Sequence, residues 1–160
     1  MELYRDLGWD EVKINRFKDE FTKRSLEMDK MWSYSHDKKQ QEWLWWAVDH
    51  KTHIPVAFCF GPRKHEVLDK LLKLIEGMNI RHVYTDNNFA YSSRIPKSKH
   101  RIGKRNTQII ERKHLTLRTK IKRLNRKTID FSKKSEIHRG IIGLFINLEF
   151  FHREIDFRLF

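Results

Sequence analysis

The chain is predicted to fold as a mixed α/β domain, a sheet with helices packed against it. Three apolar runs of strand length come first, separated by short polar segments, and runs with helical spacing alternate with short strands after them. With 160 residues, of which 39% are hydrophobic and 12% aromatic, the chain can bury the core of one domain and is too apolar to be disordered.

The first part of the predicted sheet is an antiparallel meander. Its three strands, in chain order, cover residues 26–34, 42–49 and 54–60. The polar segments between them are short enough to be hairpin turns, and Gly61 with Pro62 closes the third strand. Ahead of the meander, a short amphipathic helix is predicted within residues 1–24, because apolar residues recur at roughly helical spacing: Val12, Ile14, Phe17 and Phe21.

The second part of the chain alternates helices with short strands. The predicted elements are a helix over residues 65–76 stopped by Gly77, a strand over 80–85 ending at Asp86, a loop or short helical turn over 87–97, a short strand over 100–103, a long helix over 106–124 and a last helix over 136–151. In the long helix, the inward-facing positions are Ile110, Leu117, Ile121 and Leu124. Three antiparallel strands followed by these elements predict a mixed sheet.

The positive charge of the chain is local. Residues 94–139 hold 17 basic and 3 acidic residues, a net of +14, whereas the whole chain nets +13. Such clustering favours binding to nucleic acid. An anionic membrane surface is the weaker alternative, because this segment has no Trp and Phe131 is its only Phe. The basic run at residues 97–105 is interpreted as binding the phosphates of DNA. The alternative is that it forms a solvated face.

Other features exclude several classes of protein. The sequence contains no run of 18 apolar residues, so no membrane span is predicted. The acidic start lacks the apolar region of a secretory signal. Cys59 is the only cysteine, so neither a disulfide framework nor a cysteine zinc site is expected. We expect Cys59 to be a core thiol in a reducing compartment. The histidines have no spacing that predicts a metal site.

Three carboxylates occupy informative positions. Asp29 lies within the first strand, Asp86 ends the fourth, and Glu111 is the single acid between residues 87 and 129, among fourteen Lys and Arg. Brought together, such groups raise one another's pKa, and a pair of Mg²⁺ ions would offset that cost. The alternative is structural: Asp86 as a turn or cap residue, and Glu111 as the ion-pair partner of a neighbouring cation. The spacing alone leaves both interpretations open.

Several motifs in order closely resemble the transposases of the insertion-sequence-one family. They are EMDKMW at 27–32, WLWWAVD at 43–49, TDNNFAY at 85–91, IIERKHLTLR at 109–118 and EIHRGIIGLFIN at 136–147. The resemblance runs from about residue 26 to about 152. It implies a ribonuclease H-like catalytic domain over residues 26–152, in which a mixed sheet of three antiparallel strands and then parallel strands is flanked by helices. An N-terminal helical segment over 1–25 precedes this domain and a tail over 153–160 follows it.

The resemblance also implies roles for individual residues. Asp29, Asp86 and Glu111 match the catalytic Asp-Asp-Glu triad, which would hold two Mg²⁺ ions, with Mn²⁺ as a possible substitute. Arg118 and His114 share a helical face with Glu111 and would position phosphate. The residues expected to bind the DNA backbone are Lys104, Arg105, Arg112 and Lys122.

The implied function is metal-dependent cleavage and strand transfer of double-stranded DNA, at the element ends and at the target. A homo-oligomer on DNA in the prokaryotic cytoplasm, at the nucleoid, is expected. Family members generally carry an N-terminal zinc-binding segment and a helix-turn-helix, which this sequence lacks, so the product of an upstream reading frame is a possible partner. The alternatives are a catalytically inactive DNA-binding remnant that pairs with a full-length transposase, and a structure-specific nuclease of the same fold.

Two further sets of residues have both a functional and a structural interpretation. Trp32, Trp43, Trp45 and Trp46 lie in or beside strands, where a packed core is favoured over a platform for stacking bases. Asp49 ends the second strand and is interpreted as a turn residue rather than as a fourth neighbour of the metals.

Overall fold

The computed structural model describes residues 21–125 and 132–151, without the side chain of Phe151. The helix predicted within residues 1–24 lies almost wholly outside this range, and Arg24 already belongs to the first strand. The predicted tail, residues 153–160, also lies outside the described residues.

Five strands form one mixed sheet in the order β3-β2-β1-β4-β5. Their bounds are β1 Arg24–Tyr34, β2 Gln41–Asp49, β3 Pro55–Gly61, β4 Ile80–Thr85 and β5 His100–Ile102. β2 runs antiparallel to both β1 and β3, whereas β4 runs parallel to β1 and β5 parallel to β4. The predicted meander followed by parallel strands is therefore confirmed.

Helices cover both faces of this sheet. Their bounds are α1 His65–Leu74, α2 Phe89–Ser92, α3 Gln108–Lys120 and α4 Ser135–Phe151, with short 3₁₀ helices at Lys104–Asn106 and Lys122–Leu124. The single helix predicted over 106–124 is wrong in extent. Ile121 has an extended backbone, with φ −101° and ψ 99°, and this ends α3. Ile121 and Leu124 are nevertheless buried as expected, because the following 3₁₀ turn keeps them against the core.

Two apolar clusters lie on opposite faces of the sheet, since successive strand residues point to opposite sides. On one face, Leu26 and Trp45 pack with α1. On the other, Met31 and Trp46 pack with α3 and α4. Trp45 and Trp46 are almost completely buried, which confirms the core interpretation for these two indoles.

Asp49 is a turn residue, as predicted. Its Oδ1 accepts hydrogen bonds from the backbone N–H groups of Lys51 and Thr52, both at 2.9 Å. Its Oδ2 lies 3.1 Å from the guanidinium of Arg24. These contacts close the β2–β3 hairpin and leave the carboxylate fully engaged. No helix within the described ranges is long and apolar enough to cross a bilayer.

Candidate active site

Strand register brings Asp29 and Asp86 side by side. In the parallel pair β1/β4, Glu27 is opposite Tyr84. Two residues further along each chain are Asp29 and Asp86, the latter immediately after the last residue of β4. Because alternate residues of a strand point to the same face, the two carboxylates lie on the same face of the sheet as the Glu27–Tyr84 pair. Position at a strand end is typical of ligand sites in sheets of this kind.

The N-terminus of α3 is held by a buried carboxylate, Glu27. Its Oε2 accepts hydrogen bonds from the backbone N–H groups of Ile109 and Ile110, at 3.1 and 3.0 Å. The side chain is fully buried, and its Oε1 lies 2.7 Å from Nδ1 of His50. Thr107, which precedes the helix, makes no side-chain cap. Glu27 therefore satisfies the free N–H groups of the first turn and places negative charge at the positive end of the helix dipole.

This anchor makes α3 run along β1. Glu27 and Asp29 are separated by about 6.6 Å along the strand, at about 3.3 Å per residue. Ile110 and His114 are separated by about 6 Å along the helix, at about 1.5 Å per residue. The two rises match, so a helix that starts on Glu27 carries His114 to Asp29, and the Nδ1 of His114 lies 3.7 Å from the Oδ2 of Asp29.

Glu111 enters the same region from the first turn of α3. Its side chain is exposed, and one carboxylate oxygen accepts a hydrogen bond from the hydroxyl of Thr107 at 3.4 Å. His114 and Arg118, three and seven residues later, lie on the same side of the helix. Arg118 is half-buried.

The other two predicted carboxylates act electrostatically on Asp29. Burial raises the pKa of Asp29 from 3.8 to about 6, and the negative charges of Asp86 and Glu111 add to the rise. A backbone hydrogen bond from Lys30 and the positive charge of that side chain oppose it. Asp29 is thus a carboxylate that is costly to ionise without a nearby cation.

Asp86 is not the cap of the helix that follows it. The N-cap of α2 is Asn88, whose side-chain oxygen accepts the backbone N–H of Ala90 at 3.0 Å. Asp86 Oδ1 is buried and has no hydrogen-bond partner among the described residues. A buried carboxylate oxygen without a donor is costly, and a divalent cation would satisfy it.

A divalent cation fits the side chains around Asp29 and Asp86. Carboxylate oxygens are the ligands that Mg²⁺ prefers, and both the raised pKa of Asp29 and the unpaired oxygen of Asp86 favour added positive charge. Within residues 21–125 and 132–151, no three His, Cys, Asp or Glu side chains are already arranged around a common metal position. The fit therefore rests on the two aspartates, and the exposed Glu111 stands beside them.

His114 is buried in a polar setting that its sequence position did not predict. Its Nε2 accepts a hydrogen bond from the indole N–H of Trp46 at 2.8 Å, and the two ring planes lie within 11° of each other. Burial lowers the pKa of His114 from 6.5 to about 3, and the charge of Arg118 lowers it further. The ring is therefore neutral at physiological pH, and its predicted contact with phosphate remains a prediction.

Lys30 is a charged neighbour that the sequence reasoning missed. Its ammonium group lies 5.5 Å from the ring centre of Trp45 and 5.3 Å from that of Tyr91. Burial lowers its pKa, while the charges of Asp86 and Asp29 hold the pKa up. The only signal in the sequence was its position directly after Asp29, where strand alternation sends its side chain to the opposite face.

The predicted DNA-backbone residues have exposed side chains. Lys104, Arg105, Arg112 and Lys122 are all exposed. Exposed cations on the chain that also carries these carboxylates are suited to binding a phosphodiester polymer.

The class of protein is established by family membership. The model of the IS1 transposase family matches residues 24–152, and the chain therefore belongs to this family.

Its relatives are InsB proteins of insertion elements. The chain is 47% identical over 126 residues to the insertion element iso-IS1n protein InsB of Shigella dysenteriae, covering 79% of this chain and 96% of that protein. It is 40% identical over 123 residues to the insertion element IS1 protein InsB of Shigella flexneri, covering 77% and 94%. It is 39% identical to the insertion element IS1 9 protein InsB of Escherichia coli K12, covering 77% and 74%.

Proposed function

We propose that this protein is a DNA transposase of the Asp-Asp-Glu type, which cuts double-stranded DNA at the ends of an insertion element and joins them to a target. Asp29, Asp86 and Glu111 are the catalytic residues in this proposal. The observation that supports it is the strand register, which brings Asp29 on β1 and Asp86 after β4 onto one face of the sheet. The charges of Asp86 and Glu111, which is 82 residues from Asp29 in sequence, add to the rise that burial causes in the pKa of Asp29.

The sheet is consistent with a ribonuclease H-like core. Three antiparallel strands are followed by two parallel ones on the other side of β1, and the proposed catalytic residues come from β1, from the end of β4 and from α3. β1 is the central strand, so it is supported on both sides by neighbouring strands. Rigid elements of this kind hold catalytic side chains more precisely than loops do.

The proposed reaction has two phosphodiester steps. In the first, water attacks the phosphorus at the element end, the bond to the 3′ oxygen breaks, and a 3′-hydroxyl and a 5′-phosphate are released. In the second, that 3′-hydroxyl attacks a phosphodiester of the target, a new bond to phosphorus forms, and a target 3′-hydroxyl leaves. Two Mg²⁺ ions, or Mn²⁺ in their place, would supply positive charge to the reacting phosphate and its attacking and leaving oxygens.

The residues of the chain bind and orient the DNA around these carboxylates. Asp29 has a raised pKa, and Oδ1 of Asp86 is buried without a hydrogen-bond donor among the described residues. A nearby cation would stabilise both carboxylates, so they are suitable metal ligands. Arg118, on the same helical side as Glu111, would contact the phosphate at the reacting bond. The exposed cations Lys104, Arg105, Arg112 and Lys122 would hold the backbone without reading sequence. Action on two DNA ends favours a homo-oligomer, and an upstream-frame product is a candidate source of end recognition.

Nicking of a supercoiled plasmid tests the proposal. Wild-type protein with Mg²⁺ should convert supercoiled DNA to the open circle, and Asp86→Asn should abolish this conversion, because it replaces a charged ligand by a neutral amide of the same shape. Asp69→Asn is the matched control. Asp69 lies on α1, away from the site, and is an exposed carboxylate paired with Arg94.

DNA retention, measured by gel shift, separates catalysis from binding. Asp86→Asn should retain DNA at least as well as wild type, because it removes negative charge from a DNA-binding surface. Full nicking by Asp86→Asn would overturn the catalytic assignment. A wild-type protein that retains DNA but never nicks it, with either metal, would identify an inactive DNA-binding form instead.

A further inference from the structure

Two side chains from different elements, Trp46 and His114, lie beside Asp29. Trp46 on β2 lies directly opposite Asp29 on β1 in the antiparallel register, so both side chains are on the same face of the sheet. His114 reaches this face from α3. Its two ring nitrogens have separate neighbours, since Nε2 is 2.8 Å from the indole nitrogen of Trp46 and Nδ1 is 3.7 Å from the Oδ2 of Asp29.

The contact with Trp46 determines where the imidazole proton lies. An indole N–H can only donate a hydrogen bond, so Nε2 of His114 has to accept and cannot carry a proton. An imidazolium carries a proton on both nitrogens, so a ring whose Nε2 accepts this hydrogen bond is the neutral imidazole. The single proton of the neutral ring is therefore on Nδ1, the nitrogen that faces the carboxylate of Asp29.

We propose that Trp46 and His114 are positioning residues for Asp29. The indole of Trp46 holds the imidazole of His114 as its Nδ1–H tautomer, so that an N–H dipole always faces Oδ2 of Asp29. The inference rests on the proposed function, in which Asp29 is a metal ligand. At 3.7 Å the contact is longer than a hydrogen bond and acts through the attraction between the N–H dipole and the carboxylate charge. It biases the orientation of the carboxylate.

This arrangement gives His114 a role that differs from binding phosphate. Its Nε2 is already occupied, and its Nδ1 faces Asp29 and not the solvent. Ligating carboxylates are commonly held by outer groups of this kind, and loss of such a group typically weakens metal affinity or activity about 10–100-fold.

The competing explanation is that Trp46 only fills the core, and the chain offers a matched pair of variants to separate the two. Trp45 and Trp46 are neighbours, and both are almost fully buried. The indole N–H of Trp46 bonds to His114, whereas that of Trp45 is buried without a partner among the described residues. Trp46→Phe and Trp45→Phe both shrink a core ring, but only Trp46→Phe removes the donor that fixes the tautomer.

The first measurement is the ¹⁵N chemical shifts of the imidazole of His114 in the full-length, metal-free protein. Wild type and Trp45→Phe should show a protonated Nδ1 and a bare Nε2, and Trp46→Phe should shift the proton toward Nε2. The wild-type spectrum decides alone if a variant does not fold. A proton on Nε2 in the wild type would overturn the inference.

The second measurement is Mn²⁺ binding by calorimetry together with plasmid nicking. Trp46→Phe should weaken Mn²⁺ binding by about tenfold or more, with part of the lost nicking recovered at high metal concentration, and Trp45→Phe should not. Equal metal affinity in the two variants would reject a positioning role. If the wild type binds no metal and nicks no DNA, the proposed function fails, while the tautomer measurement still reports on the Trp46–His114 contact.

Discussion

Replacing Asp29 by Asn should stabilise the metal-free protein at neutral pH. The carboxylate has a pKa of about 6 in the folded protein, raised from 3.8 by burial and then by Asp86 and Glu111. Between these two values the folded state keeps a proton that the unfolded chain releases, so the free energy of unfolding falls as pH rises through this interval. The difference corresponds to about 3 kcal/mol, since each pH unit is worth about 1.4 kcal/mol.

Urea unfolding in EDTA, followed by circular dichroism, measures this effect. Below about pH 4 wild type and Asp29→Asn should have similar stability, because Asp29 is protonated in both folded and unfolded states. Above about pH 7 the variant should be more stable by about 1–3 kcal/mol, as it never has to ionise a buried group. Asp69→Asn, at an exposed carboxylate, is the control and should change stability by less than about 0.5 kcal/mol.

Adding Mg²⁺ in the same experiment connects stability to the proposed site. A ligand that binds only the folded state raises its stability, so wild type should gain stability at about pH 7.5 and Asp29→Asn should gain much less. A stability difference between wild type and variant that does not change from pH 4 to pH 8 would show that Asp29 ionises freely. The electrostatic argument for a metal at this position would then be refuted.

The remaining predictions concern the scaffold that holds the site. Glu27→Ala should destabilise the protein by about 3–5 kcal/mol, because it leaves two backbone N–H groups of α3 without their charged acceptor. Glu76→Gln, at an exposed acid, is its control. Equal urea midpoints for the two variants would contradict the role of Glu27 as the cap of α3. Gly61→Ala should cost about 1–3 kcal/mol, since an added Cβ would lie 2.6 Å from Val67 Cγ2. Gly140→Ala in α4, where a Cβ meets nothing within 4 Å, should instead stabilise by about 0.5–1 kcal/mol in the same assay.

Much of the fold follows from local patterns in the sequence. The predicted ends of the strands and helices lie within four residues of the observed ones, because alternation and helical spacing of apolar residues are properties of short windows. The direction of the strands also followed, since short turns permit only antiparallel neighbours and a helical crossover permits parallel ones. The error at the end of α3 arose where Ile121 and Leu124 continue the apolar spacing although the backbone has left the helix.

Individual carboxylates were harder to interpret. Asp29, Asp86 and Glu111 were found from their strand and helix positions and from motifs, and the structure places their charges within reach of one another. Their catalytic role stays a prediction. Glu27, two residues before Asp29 in the same strand, has no spacing that marks it as the cap of a helix 82 residues away.

The sequence by itself determined the elements, the local excess of positive charge and the positions of the acidic residues, because each depends on neighbours along the chain. Only the tertiary structure decided which groups face each other. Glu27 with the start of α3, Trp46 with His114, and Asp86 with its unpaired oxygen all depend on strand register and helix docking. The physical reason is that hydrogen bonding and desolvation act over a few ångströms in space, a distance that separation along the chain does not encode.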